Sequence, residues 1–527
     1  MSPINSKVIT GQDALPPLRP WQIRCIQQAL QSLSPETPHF LCQATPGAGK
    51  MLMASVLVNE LMSRGEVDYV LYLGPTKAVV ERAIETLSHV TGQPMHGRLG
   101  AAGAAYTYHA LSHRLGELKA LCQRAQVLLI WDESHHAAGR AEEEADTANS
   151  WGLALLALER HVHYTVALSG TPWRTDGSCL PLLRYVASAQ DTEGQRCSRD
   201  EADHHDESMV TQALEPDFVY SLSEAIRDQV CRLPHLQLID NPAIQLTAYH
   251  PASGRQELHH YHSIPHLLRH PAMHYSQLLR HSEPMAHLLD RSCQQLRELR
   301  QHDPAAAGLV VASDIDHAEE IAEHLEDRGE TACLVTSRSP GAHKRLREFR
   351  ESTAPWLVSV AMVSEGVDIP RLQVCCYLSH IRTEQRFRQV LGRIIRRKGD
   401  DDAACYLYAL NEPSLRHYAR RITEDLPDDL AQVSLPAGSS SSSSGDDGPD
   451  LGSAASTNSN AAPSQEDKEE PLLRAQQDGI LKPDYSAQQL AFGSLSTLGT
   501  QVAPDVEFST RFIARLIALQ LPHPKPS

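Results

Sequence analysis

Gly47, Gly49 and Lys50 close the stretch "ATPGAGKM" (44–51), the first place in the chain where residue spacing could do chemistry. An apolar run, "HFLCQ", precedes it and the helix-like "LMASVLVNEL" follows. In such a strand–turn–helix, backbone N–H groups and the helix N-terminus meet phosphate oxygens, and the lysine reaches the β and γ phosphates. Thr45, Pro46, Gly47, Ala48, Gly49, Lys50 and Met51 would then line a bound ATP. The pattern departs from the usual one twice. Ala44 stands where the first glycine belongs, and Met51 stands where a Ser or Thr hydroxyl normally helps hold magnesium. A thioether is a poor ligand for that hard cation. Losing the hydroxyl should cost about 1.5–3 kcal/mol, the worth of one charge-assisted hydrogen bond, which weakens turnover without abolishing it. Taken alone, the degraded loop also suits a plain strand–turn–helix.

The second constellation is Asp132 and Glu133, which end the apolar strand pattern "QVLLIWDESHH" about eighty residues further on. In a P-loop fold the first acid assists the magnesium ion, and the second polarises an attacking water. Lys50, Asp132 and Glu133 are therefore catalytic candidates, with Asp132 the candidate metal ligand. His135 and His136 invite a metal reading, but structural hydrogen bonding or coupling suits them better.

The elements that must carry these residues are legible from the apolar pattern. From residue 20 to about 185, strand-like runs ("HFLCQA", "VDYVLYLG", "QVLLIWD", "YTVALSG") alternate with helical stretches, which is the signature of βαβ units around a parallel sheet. A second alternating block begins near 286 with "GLVVAS", "TACLVTS", "PWLVSVAM", "LQVCCYLS" and "ACYLYAL". The length of 527 residues is too great for one core. Hydrophobic content of 41% and charged content of 21% are ordinary for a soluble globular protein. No run is long enough to span a bilayer, and no signal-peptide core opens the chain, so a cytoplasmic location is expected. The eleven cysteines are scattered without a CxxC pair, as buried reduced thiols would be. A net charge of −17 argues against a nucleic-acid partner only until its distribution is seen. Acidic runs sit in loops and tails, whereas "RTEQRFRQVLGRIIRRK" (382–398) is a basic strip.

With the phosphate loop and the acid pair in place, the chain resembles the superfamily 2 helicases and translocases over roughly residues 15 to 425. The resemblance implies a fold of two tandem RecA-like α/β domains with ATP held between them, and the remaining motifs follow in order. "LRPWQ" resembles the adenine-recognition element, with Gln22 its glutamine. "LGPTKAVVERA" and "TYHAL" resemble elements of the nucleic-acid track, which implies roles there for Pro75, Thr76, Thr107 and Tyr108; Ser313 and Thr336 are the candidates in the second block. "LSGTPWR" is similar to the coupling motif, with Ser169 and Thr171. "SEGVDIP" resembles motif V and implies nucleotide contacts from Gly366 and Asp368. "QVLGRIIRR" resembles motif VI, matching Gln389, Gly392, Arg393 and Arg396. Arg396, together with Arg393, would be the arginine finger. The forms "GTPWR" and "SEGVDIP" are closest to bacterial repair helicases and restriction-enzyme motor subunits. Because the "DEAD" and "HRIGR" forms of the RNA-remodelling branch are absent, DNA is favoured over RNA.

The expected domains are a RecA-like ATP-binding domain at 15–189, a polar, His-rich helical connector at 190–285 and a second RecA-like domain at 286–425. A disordered Ser-rich linker at 430–475 and a C-terminal helical segment at 476–527 complete the chain. In "DVEFSTRFIARLIALQL" a helix would align Phe508, Phe512, Leu516 and Leu519 on one stripe, suited to the protein's own core or to a partner protein. Two readings compete with an ATP-hydrolysing motor: an ATP-gated clamp, kept open by Met51, and a motor subunit tethered into a larger complex. An RNA helicase is a further alternative.

Overall fold

The computed structural model describes residues 17–136, 150–173, 180–187, 209–249, 256–360, 369–399, 402–424, 432–436 and 504–519. The chain divides into two units. Met1–Ala248, Glu257–Ser439 and Pro504–Ser527 form one, which contains both α/β lobes; Tyr249–Gln256 and Ser440–Ala503 form the other. Only Tyr249 and Gln256 of the second unit are described, as strand residues.

In the first lobe the strands are β1 (His39–Ala44), β2 (Tyr69–Gly74), β3 (Gly103–Thr107), β4 (Val127–Asp132) and β5 (Tyr164–Ser169), followed by the short β6 (Tyr185–Ala187), β7 (Met209–Leu214) and β8 (Phe218–Tyr220). The main sheet has the order β3-β2-β4-β5-β1-β8 and its recorded pairings are parallel. Its central strands are buried nearly throughout, which is why they read as continuous apolar runs and not as alternating ones. Alternate residues divide between two packed layers. Val70, Tyr72, Leu128 and Ile130 join the layer of the helix Lys50–Ser63, and Leu71, Leu73, Leu129 and Trp131 join the layer of the helices Tyr108–Cys122 and Ser150–Glu159.

The second lobe contains β9 (Leu233–Asp240), β10 (Ile244–Tyr249), β11 (Gln256–Tyr261), β12 (Ala307–Ala312), β13 (Ala332–Val335), β14 (Trp356–Ser359), β15 (Leu372–Leu378) and β16 (Ala404–Leu410). β18 (Asp505–Phe508) and β19 (Ile513–Ile517) complete this lobe's set, and the remaining late strand, β17 (Gln432–Pro436), joins β7 and β6. The lobe's sheet runs β13-β14-β12-β15-β16-β9-β19 and is parallel except for β19.

Two expectations about the periphery need correction. Among its described residues the stretch read as a helical connector mixes strands with short helices: β8 extends the first sheet and β9 belongs to the second, so the second sheet takes its first strand from 233 onward and not from 286. The C-terminal stripe is not a helix either. Residues 505–508 pair antiparallel with β10, and 513–517 pair antiparallel with β9. An open sheet edge offers Val, Ile and Phe backbone bonds that an isolated short helix cannot match. Residues 432–436, inside the expected linker, form β17 and pair with β7. The rest of the Ser-rich stretch, and Gly366 and Asp368 of motif V, lie outside the described residues.

Candidate active site

The phosphate loop turns on two glycines in left-handed conformations, Gly47 (φ 80°) and Gly49 (φ 94°). Gly49 caps the helix Lys50–Ser63, so backbone donors at the helix N-terminus converge on the loop. Lys50 Nζ donates to Ala44 O at 2.9 Å, folded back over the space that phosphates would take. Two residues of "LRPWQ" hold the loop from outside. Gln22 Nε2 donates to Gly49 O (2.9 Å), and its Oε1 accepts from Arg19 N (2.8 Å). Arg19 donates to Ala48 O at 2.7 Å and to Gly47 O at 3.4 Å. Gln22 is thus buried against the loop with both ends of its amide engaged, and does not present the open base-reading face expected of it.

Asp132 ends β4 under the same loop. Its Oδ2 accepts from the Tyr72 hydroxyl (2.8 Å), its Oδ1 from Glu133 N (3.1 Å), and its carbonyl from the Tyr108 hydroxyl (2.7 Å). Burial, then the neighbouring charge of Glu133, holds the Asp132 carboxyl up at about 6, against the pull of Lys50. A magnesium ion brought with a nucleotide fits this position. A carboxylate kept partly protonated by desolvation and a like charge would gain from a divalent cation, and both oxygens retain lone pairs. Met51 packs against the apolar layer and offers no ligand. Among the described residues no group of three His, Cys, Asp or Glu side chains is placed to hold a metal by itself, the His-rich stretch included.

Glu133 sits at φ 55°, an uncommon conformation for a residue with a side chain, fixed by its N–H donating to Leu168 O at 2.8 Å. Its carboxylate lies 3.5 Å from His135 Nδ1, and His135 Nε2 lies 3.1 Å from Gln389 Nε2. With Gln389 donating, His135 accepts at Nε2 and keeps its proton on Nδ1, close to the Glu133 carboxylate but outside hydrogen-bond geometry. Gln389 belongs to the second lobe, on the helix Glu384–Ile394, so the contact bridges the two lobes.

The rest of motif VI faces the loop at close range. A Cβ built on Gly47 would stand 2.9 Å from Arg396 Cγ, so the stem of Arg396 lies on the glycine. Pro46 is held between Gly170 of the first lobe and Gly392 of the second. Arg388 lies over the Trp173 ring at 5.5 Å, across the same cleft. Arg396 is fixed from behind by a lone antiparallel bridge to Cys231, whose thiol contacts Pro46 O at 3.6 Å. Burial pushes that thiol up to about 12 while Arg19, Arg396, Lys50 and Arg232 pull it down, and three of these four cations contact the phosphate loop or belong to it. The fully buried Arg232 binds Asp402 through Nε and Nη2 and the carbonyls of Leu372, Ile394 and Pro370, which ties the interlobe crossing to the end of the motif VI helix.

The predicted set is therefore gathered unevenly. Lys50, Asp132, Glu133, Gln389 and Arg396 meet at one cleft, and Arg393 lies on the same helix as Gln389. Ser169 and Thr171 are buried beside it, with Thr171 N–H donating to Ser169 Oγ (3.1 Å). Of the expected track residues, Pro75, Thr76 and Thr107 are half-buried at carboxyl ends of strands, where ligands of such sheets bind. Thr76 spends its hydroxyl capping the helix Lys77–Thr91. Tyr108 does not fit the expectation: it is buried, and its hydroxyl serves Asp132. Ser313 and Thr336 are also buried, with hydroxyls bonded to Leu378 O and Ser339 Oγ. Arg19, Tyr72 and Arg232 are the residues that the sequence did not single out. Arg19 had a signal, immediately before a proline-led helix and three residues before Gln22; Tyr72 and Arg232 had none.

Two P-loop-type lobes in tandem, closed on one phosphate loop, define the helicase class of nucleotide-binding motors. Residues 15–174 match the family described as "Type III restriction enzyme, res subunit", and 290–398 match "Helicase conserved C-terminal domain". The chain belongs to the superfamily 2 helicases related to restriction-enzyme motor subunits. An uncharacterized protein of Mycobacterium leprae is 30% identical over 77% of this chain and 64% of its own length; one of Mycobacterium tuberculosis is 29% identical over 77% and 63%. The chain thus spans just under two thirds of the length of these relatives. The fragment structure of a putative HsdR subunit of a type I restriction enzyme from Vibrio vulnificus YJ016 shares the fold, with a TM-score of 0.50 and 15% identity over 77% of this chain and 67% of that one. Among the described residues no helix is long and apolar enough to cross a membrane.

Proposed function

We propose that this chain is a DNA-dependent ATPase that couples hydrolysis between its two lobes to movement along DNA. The observation that carries the reading is the contact of Arg396 with Gly47 beside the Glu133–His135–Gln389 bridge. Second-lobe groups lie against the phosphate loop, which supports their acting on a γ-phosphate bound there. Lys50 would leave Ala44 O for the β and γ oxygens. Glu133, steered by His135, would orient and deprotonate the attacking water, and Arg396 with Arg393 would meet the charge that develops on the transferred phosphoryl. Asp132 would hold the magnesium ion, completed by waters and phosphate oxygens; when bound, the ion spreads the charge of the phosphates. Departure of phosphate removes the link between the lobes, so opening and closing would step the protein along a backbone held by sequence-independent contacts.

DNA is favoured over RNA by kinship with restriction-type motors and by the motif forms. Met51 supports a second reading, an ATP-gated clamp that grips DNA with little turnover. The deciding experiment is steady-state ATP hydrolysis with single-stranded DNA, duplex DNA or RNA, beside Glu133→Gln as blank. Stimulation by DNA above the blank supports the motor. No turnover in the native chain, but turnover in Met51→Thr, supports the clamp. No nucleotide binding in either sinks both.

A further inference from the structure

We propose that Tyr72 is a positioning residue that holds the Asp132 carboxylate in place of the hydroxyl missing at Met51; the proposal rests on the nucleotide reading above. Tyr72 lies opposite Ile130 in the β2–β4 register, so Asp132, two residues further on, is its diagonal neighbour on the same face of the sheet. That face carries the apolar layer to which the helices Lys50–Ser63 and Lys77–Thr91 both contribute; Tyr72 is part of it and Met51 packs against it.

The strand position itself asks for no hydroxyl. Val70, Leu128 and Ile130 share its layer, and a phenylalanine would fill the same core volume. The one polar atom of the fully buried Tyr72 is spent on Asp132 Oδ2, at 2.8 Å. In P-loop sites carrying Ser or Thr after the lysine, that hydroxyl and the strand-end aspartate converge on one ion. With Met51 the aspartate stands alone, and a freely turning carboxylate would lose binding energy to ordering. The Tyr72 hydroxyl on Oδ2 and Glu133 N–H on Oδ1 leave it one orientation.

The test is a double-mutant cycle of Tyr72→Phe and Met51→Thr, reading binding of a fluorescent ADP with magnesium and again with chelator, beside thermal unfolding. In the native background Tyr72→Phe should weaken the magnesium-dependent binding roughly tenfold, the scale of a hydrogen bond to a charged group. In the Met51→Thr background the loss should shrink below about twofold, a coupling expected of two groups serving one ligand. Metal-free binding should not move. Equal losses in both backgrounds, an equal loss without metal, or no loss at all would overturn the role of Tyr72. If neither the native chain nor Met51→Thr binds nucleotide, the nucleotide reading itself falls.

Discussion

Pro46 of the phosphate loop rests on Gly392 of the second lobe: a Cβ at Gly392 would lie 2.7 Å from Pro46 Cγ and 2.8 Å from its Cβ. A proline ring cannot swing aside, so this contact sets how closely the lobes approach. Gly392 lies inside the helix Glu384–Ile394, where alanine is favoured over glycine by about 1 kcal/mol. Gly392→Ala should therefore leave the lobe as stable as before, or more so, while wedging the cleft open. ATP turnover is expected to fall at least about tenfold, since each 1.36 kcal/mol of lost transition-state contact is worth that factor. Unchanged turnover would show that closure at this point does not matter.

His135 links Glu133 to Gln389, and its removal should read as a loss in kcat with little change in KM for ATP. His135→Ala is expected to lower kcat roughly tenfold, the factor that goes with about 1.4 kcal/mol of lost transition-state positioning. Gln389→Ala should cost a similar factor, and the double variant scarcely more, because the two act in series. Additive losses in a steady-state assay would mean that the bridge is incidental.

The carboxyl of Asp132 predicts a pH effect on the nucleotide-free protein. Its native pKa of about 6 lies above that of an unfolded aspartate, about 3.9. Folding thus favours the protonated form, and the associated stability is complete below about pH 4 and lost as pH rises through about 6. Asp132→Asn, uncharged at every pH, should gain in melting temperature relative to the native chain across that window and keep the gain above it. Thermal unfolding without nucleotide or metal would show a flat difference if the shift were absent.

Arg232 should be a stability residue first. Arg232→Met leaves Asp402 with only the Gln373 amide and Lys398 N–H as donors and leaves three carbonyls short of one; losing one member of such a buried pair costs about 3–5 kcal/mol. Denaturant unfolding would register it as an early transition of the second lobe. A variant as stable as the native chain would mean that water replaces the guanidinium.

Much of this molecule was legible because parallel sheets write themselves plainly. β1, β2, β4 and β5 are buried on both faces, and the loops at their carboxyl ends carry the motifs. Lys50, Asp132 and Glu133 follow from that arrangement, whereas Gln389 and Arg396 were reached through the resemblance of "QVLGRIIRR" to motif VI. The chain's edges were less readable. Phe508, Phe512, Leu516 and Leu519 fit a helical stripe, and only partner strands far back in the sequence, β10 for Phe508 and β9 for Leu516, decide against it. Tyr72 escaped for the opposite reason: an aromatic residue in a buried strand looks like filling, and its hydroxyl acquires a purpose only once Asp132 is beside it.

The late arrival of β19 also bears on how the protein is made. β9 leaves the ribosome long before Ile513–Ile517 has been translated, so until then the edge that β19 will cover has no strand on it. A bare parallel edge is a template for any passing strand. The nascent second lobe would thus spend much of synthesis with an adhesive border, and a stalled or prematurely terminated chain would keep it. β19 takes over that border as a strand of five residues carrying Arg515, the short and charged kind of edge that resists further pairing.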